Sequence, residues 1–116
     1  MRLRGWWRLA GALAVASATV AHADDNAVGK KVYAERCSPC HGDSGDGNGP
    51  AAAAIKPPPR NFRDADFWHT HTAVQLKATV RDGRPGTMMS PFAGTLSDAE
   101  IDAVVAYLST FRPAEH

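Results

Sequence analysis

The chain contains only two cysteines, and both lie in the motif Cys37-Ser38-Pro39-Cys40-His41. A Cys-x-x-Cys-His run is the pattern through which haem c is attached covalently. Each thiol adds to one vinyl group of the porphyrin, and the two intervening residues on a helical turn place both sulfurs along one edge of the ring. The histidine that follows can then reach the iron as an axial ligand. The motif therefore predicts one covalently bound haem c, held by Cys37 and Cys40 and ligated by His41.

Cysteine pairs with this spacing also occur in structural zinc sites, thioredoxin-like redox pairs and ordinary disulfides. A structural zinc site normally needs four ligands, and the other histidine cluster, His69 and His71, is spaced more tightly than zinc-finger ligands are. A redox pair sits close to a βαβ pattern, and no strand-rich run precedes Cys37. These three alternatives stay open at this point, but the specificity of the full motif favours haem.

The N-terminus has the form of a secretory signal peptide. A positive segment precedes an apolar run and a small-x-small cleavage site; these are Arg2, Arg4 and Arg8, residues 9–20, and Ala21-His22-Ala23. The apolar run is too short to span a bilayer comfortably. We therefore expect residues 1–23 to be a cleaved signal peptide and residues 24–116 to form one exported domain.

The size and charge of that domain narrow its possible functions. Small domains usually need a disulfide, a metal or a cofactor to complete their interior, and a haem supplies a large apolar plate. Loss of the three arginines of the signal segment reduces the 13 basic residues of the chain to 10, against 12 acidic ones, for a formal charge of −2. Nucleic-acid binding needs a clustered basic face, which the sequence lacks.

The segment that leads into the cysteine motif predicts the first helix. Val28, Val32 and Tyr33 recur on one helical face, and Gly29 falls on the same face. A glycine inside a helix costs about 1 kcal/mol relative to alanine. We therefore expect another helix to approach the first one closely at Gly29.

Two later segments also predict helices, and no segment convincingly predicts a strand. Thr72-x-x-Gln75 and Ser97-x-x-Glu100 have the capping-box form that opens a helix. Gly83 is a natural end for the first of these, and Pro113 ends the second. The segment that contains Phe67 and Trp68 is predicted to be a loop with anchored aromatic side chains. The sequence thus predicts an all-α fold whose long loops have a task, such as wrapping a haem.

The second axial ligand has four candidates, Met88, Met89, His69 and His71. A thioether favours reduced iron and raises the reduction potential relative to a second imidazole. The two methionines lie in a loop punctuated by Gly and Pro, outside any amphipathic stripe that would make them core fillers. The residues therefore favour a methionine, while a neutral structural role is the better interpretation of the two histidines.

Taken together, the motifs resemble the class I c-type cytochromes over about residues 29–111. The resemblance rests on three segments in the right order: Gly-x-x-x-Tyr-x-x-x-Cys-x-x-Cys-His-Gly at 29–42, GTMMSPF at 86–92 and VVAYL at 104–108. It implies an all-α cytochrome c fold of three or more helices around a covalently bound haem. It also implies that the N- and C-terminal helices cross, with Gly29 and Tyr33 meeting Val104 and Tyr107.

The resemblance further implies His/Met ligation of the iron by His41 and Met89. In the family, an aromatic residue follows the ligating methionine at a fixed distance, and Phe92, three positions after Met89, selects Met89 as the ligand. Met88 is the runner-up, because the family often has Pro directly after the methionine and Ser90 stands there in this chain. A proline carbonyl is implied to accept the Nδ1 proton of the ligating histidine, and Pro50 is the matching position. The family pattern leaves the role of residues 57–60 unassigned.

The function implied is that of a periplasmic monohaem electron carrier, and not an enzyme. Its partners would be redox proteins, a donor and an acceptor, that meet it transiently. The alternatives are an accessory haem c subunit of a larger oxidoreductase complex, for which a membrane complex is a possible partner, and a peroxidase-like or ligand-binding haem protein. The identity of donor and acceptor, the pathway and the reduction potential do not follow from the sequence.

Overall fold

The computed structural model describes residues 11–14 and 22–114, without the side chains of residues 22–24. The described residues form helices and loops and no strand. Five α-helices follow one another: α1 His22–Val32, α2 Ser38–His41, α3 Ala65–Thr70, α4 Ala73–Asp82 and α5 Asp98–Leu108. A π-helical turn, Tyr33–Cys37, joins α1 to α2, and short 3-10 turns occupy Ala52–Ala54 and Ser109–Phe111. The all-α prediction is confirmed.

The predicted signal peptide, residues 1–23, falls mostly outside the described residues, so its cleavage stays a prediction. Residues 11–14 have no regular structure, and α1 begins at His22. Among the described helices, none combines the length and the apolar composition that a membrane crossing requires.

Both capping boxes are present as the sequence predicts. The Thr72 side chain accepts a hydrogen bond from the Gln75 N–H at 3.2 Å, and the Gln75 side chain accepts one from the Thr72 N–H at 2.9 Å. Ser97 and Glu100 repeat this arrangement at the start of α5. These bonds satisfy N–H groups that have no partner within the first turn of a helix, and they fix where α4 and α5 begin.

Helix α3 corrects the prediction of a loop around Phe67 and Trp68. The Asp64 side chain accepts a hydrogen bond from the Asp66 N–H at 3.0 Å, which caps a helix of only six residues. A helix this short has no room for the repeating apolar pattern by which helices are recognised in a sequence. The aromatic residues are anchored as expected: Phe67 is buried, and the Trp68 indole N–H donates to the Phe62 carbonyl at 2.7 Å.

The first and last helices pack across each other at Gly29. A Cβ atom at this position would lie 2.9 Å from the Ala103 carbonyl carbon and 2.9 Å from the Tyr107 Cβ, closer than side chains normally approach. Beside this crossing, the Tyr33 and Tyr107 rings lie 5.4 Å apart. The close approach predicted from Gly29 is confirmed, with Ala103 and Tyr107 as its neighbours.

We expect Gly29→Ala to destabilise the holoprotein by about 1–3 kcal/mol, because the new methyl group overpacks the crossing. Helix propensity alone would favour alanine by about 1 kcal/mol. A decrease in the free energy of unfolding therefore identifies overpacking as the cause, and an increase identifies helix propensity. Denaturant unfolding followed by circular dichroism measures it, with Lys30→Ala on the exposed face of α1 as the control. A Gly29→Ala protein as stable as the wild type would contradict the packing argument.

Around this crossing lies one core of buried side chains, contributed by α1, α3, α4 and α5, by the π-helical turn and the last 3-10 turn, and by residues 62 and 96. Its members are Val32, Tyr33, Phe62, Phe67, Leu76, Val80, Leu96, Ile101, Val104, Val105, Leu108 and Phe111. Met89, Phe92 and Tyr107 are partly buried against it. The core leaves a cavity between the cysteine motif and the methionine loop.

Candidate haem site

A cavity of about 270 Å³ brings together the two parts of the sequence that predict haem binding. The cysteine motif lines it through Cys37, Cys40 and His41, and the loop between α4 and α5 lines it through Met88 and Met89. The remaining walls are mainly apolar side chains: Ile55, Phe62, Phe67, Leu76, Val80, Phe92, Val104 and Leu108. Such a lining suits a flat apolar porphyrin, so the residues present fit haem c.

The two cysteines are unpaired, and both thiols are partly buried. Burial raises the pKa of the Cys37 thiol to about 12, whereas redox-active cysteines have a lowered pKa. Within the described residues, no group of three His, Cys, Asp or Glu side chains is arranged to hold a metal ion. These observations weaken the disulfide, redox-pair and zinc interpretations of the motif.

The His41 ring is oriented by two contacts from a later part of the chain. Its Nδ1 atom lies 3.1 Å from the Arg60 carbonyl oxygen, and its ring stacks on Phe62 with the centroids 4.6 Å apart. A carbonyl only accepts hydrogen bonds, so Nδ1 carries the proton and the lone pair is on Nε2. That is the tautomer in which an imidazole can ligate a metal while its other nitrogen is held in place.

Electrostatics keep this ring neutral. Burial lowers the pKa of His41 below its ordinary value, the hydrogen bond to the Arg60 carbonyl opposes that shift, and the positive charge of Arg84 reinforces it. A neutral imidazole with its Nε2 lone pair available is the form that binds iron.

The structure corrects the expectation that Pro50 accepts the Nδ1 proton of His41. The backbone around Pro50 folds back onto α2. The Gly49 N–H donates to the Cys40 carbonyl at 3.1 Å, and the Ala51 N–H donates to the Pro39 carbonyl at 2.9 Å. Pro50 itself is exposed and does not line the cavity. The carbonyl that accepts from Nδ1 is that of Arg60, so a backbone carbonyl does fill the expected role but belongs to a different residue.

Phe62 is a site residue that sequence reasoning missed. Its N–H donates to the Gly45 carbonyl at 2.7 Å, which ties the segment after residue 60 to the loop after the cysteine motif. The signal was present in the sequence as an aromatic residue in the segment Arg60-Asn61-Phe62, but nothing there indicates which ring it would face.

The two adjacent methionines differ in their surroundings. Met89 is partly buried and packs against the core, whereas the Met88 side chain is 66% exposed. Both nevertheless line the cavity. The choice of Met89 over Met88 as the iron ligand stays a prediction, and the two side chains differ only in how far they are buried beside the cavity.

Of the two histidines considered as ligands, His71 lines the cavity and His69 does not. The His71 ring stacks on Phe67 with the centroids 4.3 Å apart, and its Nδ1 lies 2.8 Å from the Phe67 carbonyl oxygen. These contacts account for His71 as part of the wall of the cavity.

The charged side chains that line the cavity are all cationic. They are Arg36, Arg60 and Arg84, and none of the described lining residues is an aspartate or a glutamate. Positive charge at this place complements the two propionate groups that a haem carries, and it stabilises a carboxylate through charge-assisted hydrogen bonds.

The family model described as Cytochrome c matches residues 27–112. The chain is a member of the cytochrome c family. The cofactor of the family is covalently bound haem c, which agrees with the cysteine motif and with the apolar cavity behind it.

Several characterised bacterial proteins contain a segment similar to this cytochrome. It is 34% identical over 95 residues to a dihydro-heme d1 dehydrogenase of Pseudomonas aeruginosa and 33% identical over 94 residues to a thiosulfate dehydrogenase of Stutzerimonas stutzeri. These matches cover 77% and 78% of the chain but only 16% and 29% of the relatives. Cytochrome c-554(547) of Halothiobacillus neapolitanus is 32% identical over 92 residues, which is 78% of this chain and the whole of that protein.

Solved structures show the same fold. A reducing HAO-like protein complex of Kuenenia stuttgartiensis contains a chain that superposes with a TM-score of 0.64 at 29% identity, over 73% of this cytochrome and 41% of that chain. The KustC0563 c-type cytochrome superposes with a TM-score of 0.61 at 29% identity, over 73% of this cytochrome and 98% of that chain.

Proposed function

We propose that this cytochrome is an exported monohaem electron carrier that passes single electrons between redox proteins. The observation that carries the proposal is the cavity in which a cysteine motif, an oriented neutral imidazole and a pair of thioethers meet. When bound, the haem supplies a one-electron iron couple. The protein itself contributes ligands and an apolar enclosure, and it needs no pocket for a second substrate.

Each site residue has a separate role in this proposal. Cys37 and Cys40 would hold the haem through thioether bonds, and the His41 Nε2 and the Met89 sulfur would bind its iron. Held by both residues, the haem would supply one-electron chemistry in preference to the binding of peroxide or a gas.

The proposed location is the periplasm, with residues 1–23 removed as a signal peptide. Support comes from the charged, apolar and small-x-small segments of the N-terminus. It also comes from the covalent cofactor, because haem c is attached outside the cytoplasm in bacteria.

A second candidate function is that of a haem subunit in a larger oxidoreductase. The observation in its favour is that several relatives are much longer than this chain and are named as dehydrogenases or as subunits of a cbb3-type cytochrome c oxidase. Cytochrome c-554(547) is matched over its whole length, so a cytochrome domain of this size also occurs as a separate protein. Co-purification of a stable complex from native membranes would decide for the subunit.

Absorption spectra and a potentiometric titration of the purified holoprotein test the proposal. We expect one reversible one-electron couple, a low-spin spectrum in both states and a thioether–iron charge-transfer band in the oxidised state. A high-spin iron that binds cyanide readily and turns over peroxide would overturn the carrier function in favour of peroxidase-like chemistry.

A further inference from the structure

One side-chain hydroxyl ties together the loop that carries both methionines. Thr87 Oγ1 donates a hydrogen bond to the Arg84 carbonyl at 2.7 Å and accepts one from the Met89 N–H at 3.2 Å. The Arg84 N–H in turn donates to the Met89 carbonyl at 3.3 Å. The Thr87 hydroxyl thus donates to one end of the turn, at Arg84, and accepts from the other end, at Met89.

The ends of this loop are anchored on α4, but its tip is not packed. The Gly83 N–H donates to the Thr79 carbonyl at 2.8 Å, and the Phe92 N–H donates to the Val80 carbonyl at 3.0 Å. At the tip, Gly86 has a φ of 77°, and no heavy atom lies within 4 Å of the place where a Cβ would stand. Because nothing packs against the chain at Gly86, the hydrogen bonds within the loop contribute to fixing its conformation, together with the close packing of Gly83 against the backbone of residues 89–91.

This conformation matters because two chemically identical side chains stand next to each other. Met88 and Met89 carry the same thioether, so side-chain chemistry cannot decide which one reaches the iron. Successive residues point in different directions from the backbone, and the backbone orientation at residue 89 therefore decides. In the structure Met89 packs against the core while Met88 is 66% exposed.

We propose that Thr87 is the positioning residue that selects Met89 over Met88 as the iron ligand. Its hydroxyl holds the Met89 N–H and the Arg84 carbonyl, so the Met89 side chain stays turned toward the core. The inference rests on the proposed ligation of the iron by His41 and Met89. Without the hydroxyl, only the backbone bonds from the Arg84 N–H to the Met89 carbonyl and from the Thr87 N–H to the Arg84 carbonyl remain within the turn. The Met89 N–H then loses its partner, the orientation of residue 89 is less fixed, and either sulfur can reach the metal.

Thr87→Val removes the hydroxyl and keeps the branched shape, while Thr87→Ser keeps the hydroxyl. Proton NMR of the reduced holoprotein reports the methyl group of an iron-bound methionine. We expect one bound methyl signal in the wild type and in Thr87→Ser, and two sets in Thr87→Val. Addition of Met88→Leu to Thr87→Val should return a single set, because only one sulfur then remains.

Imidazole binding to the oxidised iron gives a second readout. Loss of the two hydrogen bonds of the hydroxyl behind the ligand should raise the imidazole affinity of Thr87→Val about tenfold, with Thr87→Ser close to the wild type. Thr95→Val, in the exposed turn that follows, is the control and should change neither readout. If Thr87→Val yields no holoprotein, Thr87→Ala takes its place in the same comparison with Thr87→Ser.

The outcomes separate this inference from the function on which it rests. A wild type without a bound methionine methyl would overturn both the proposed ligation and the role of Thr87. A wild type with that signal, together with a Thr87→Val protein that shows one set and unchanged imidazole affinity, would overturn the role of Thr87 alone. The same holds if Thr87→Ser behaves like Thr87→Val, because the hydroxyl would then not be the cause.

Discussion

We expect the Cys37→Ala/Cys40→Ala double variant to lose its haem and, with it, its cooperative fold. The cavity is walled by several large apolar side chains, and each loses about 1.5–3 kcal/mol when it faces water instead of an apolar partner. A domain is stable by only about 5–15 kcal/mol in total. The exported variant should therefore show little helix by circular dichroism and no sigmoidal unfolding.

Mass spectrometry and acid–acetone extraction test the covalent bond in the wild type. The mature protein should carry the mass of one haem, and the colour should stay with the protein on extraction. Ser44→Ala, in the exposed loop after the motif, is the control and should keep both the haem and the fold. Haem that passes into the organic phase would disprove the attachment, and a helical, cooperative apo variant would disprove the dependence of the fold on it.

The second large effect is expected at the axial sulfur. Met89→Ala should abolish the thioether–iron charge-transfer band and open the iron to external ligands. It should also lower the reduction potential on the order of 100 mV, because a ligand that favours reduced iron is lost. Absorption spectra and a potentiometric titration measure these changes.

Met88→Ala is the matched control for this prediction, since it removes the same group one residue away. Its side chain is largely exposed, so the band and the potential should stay close to those of the wild type. If Met88→Ala lost the band and Met89→Ala kept it, the assignment would be reversed. If neither single variant lost it, the two sulfurs would be interchangeable.

The features that sequence reasoning predicted well are those encoded by neighbouring residues. The capping boxes at Thr72 and Ser97 need partners only three residues away, and both are present. The close approach at Gly29 was predictable for another reason: a glycine on the apolar face of a helix has a cost that only a packing contact offsets.

The features that escaped prediction depend on backbone atoms and on distant parts of the chain. The hydrogen bond that His41 Nδ1 donates is accepted by a carbonyl, a group that every residue has, so residue type gives no sign that Arg60 rather than Pro50 accepts it. The stacking of Phe62 on the imidazole depends on how the intervening loop returns. The hydroxyl bridge of Thr87 depends on a turn whose shape is known only once the loop is closed.

The crossing of α1 and α5 at Gly29 also limits the rate at which the domain can fold. The two helices stand at opposite ends of the domain sequence, so their contact forms only after the loops between them have been closed. Contacts between distant segments carry a loop-closure entropy and slow folding. Since Val104 and Leu108 of α5 line the cavity, the haem pocket can close only after this helix, distant in sequence from the cysteine motif, has docked on α1.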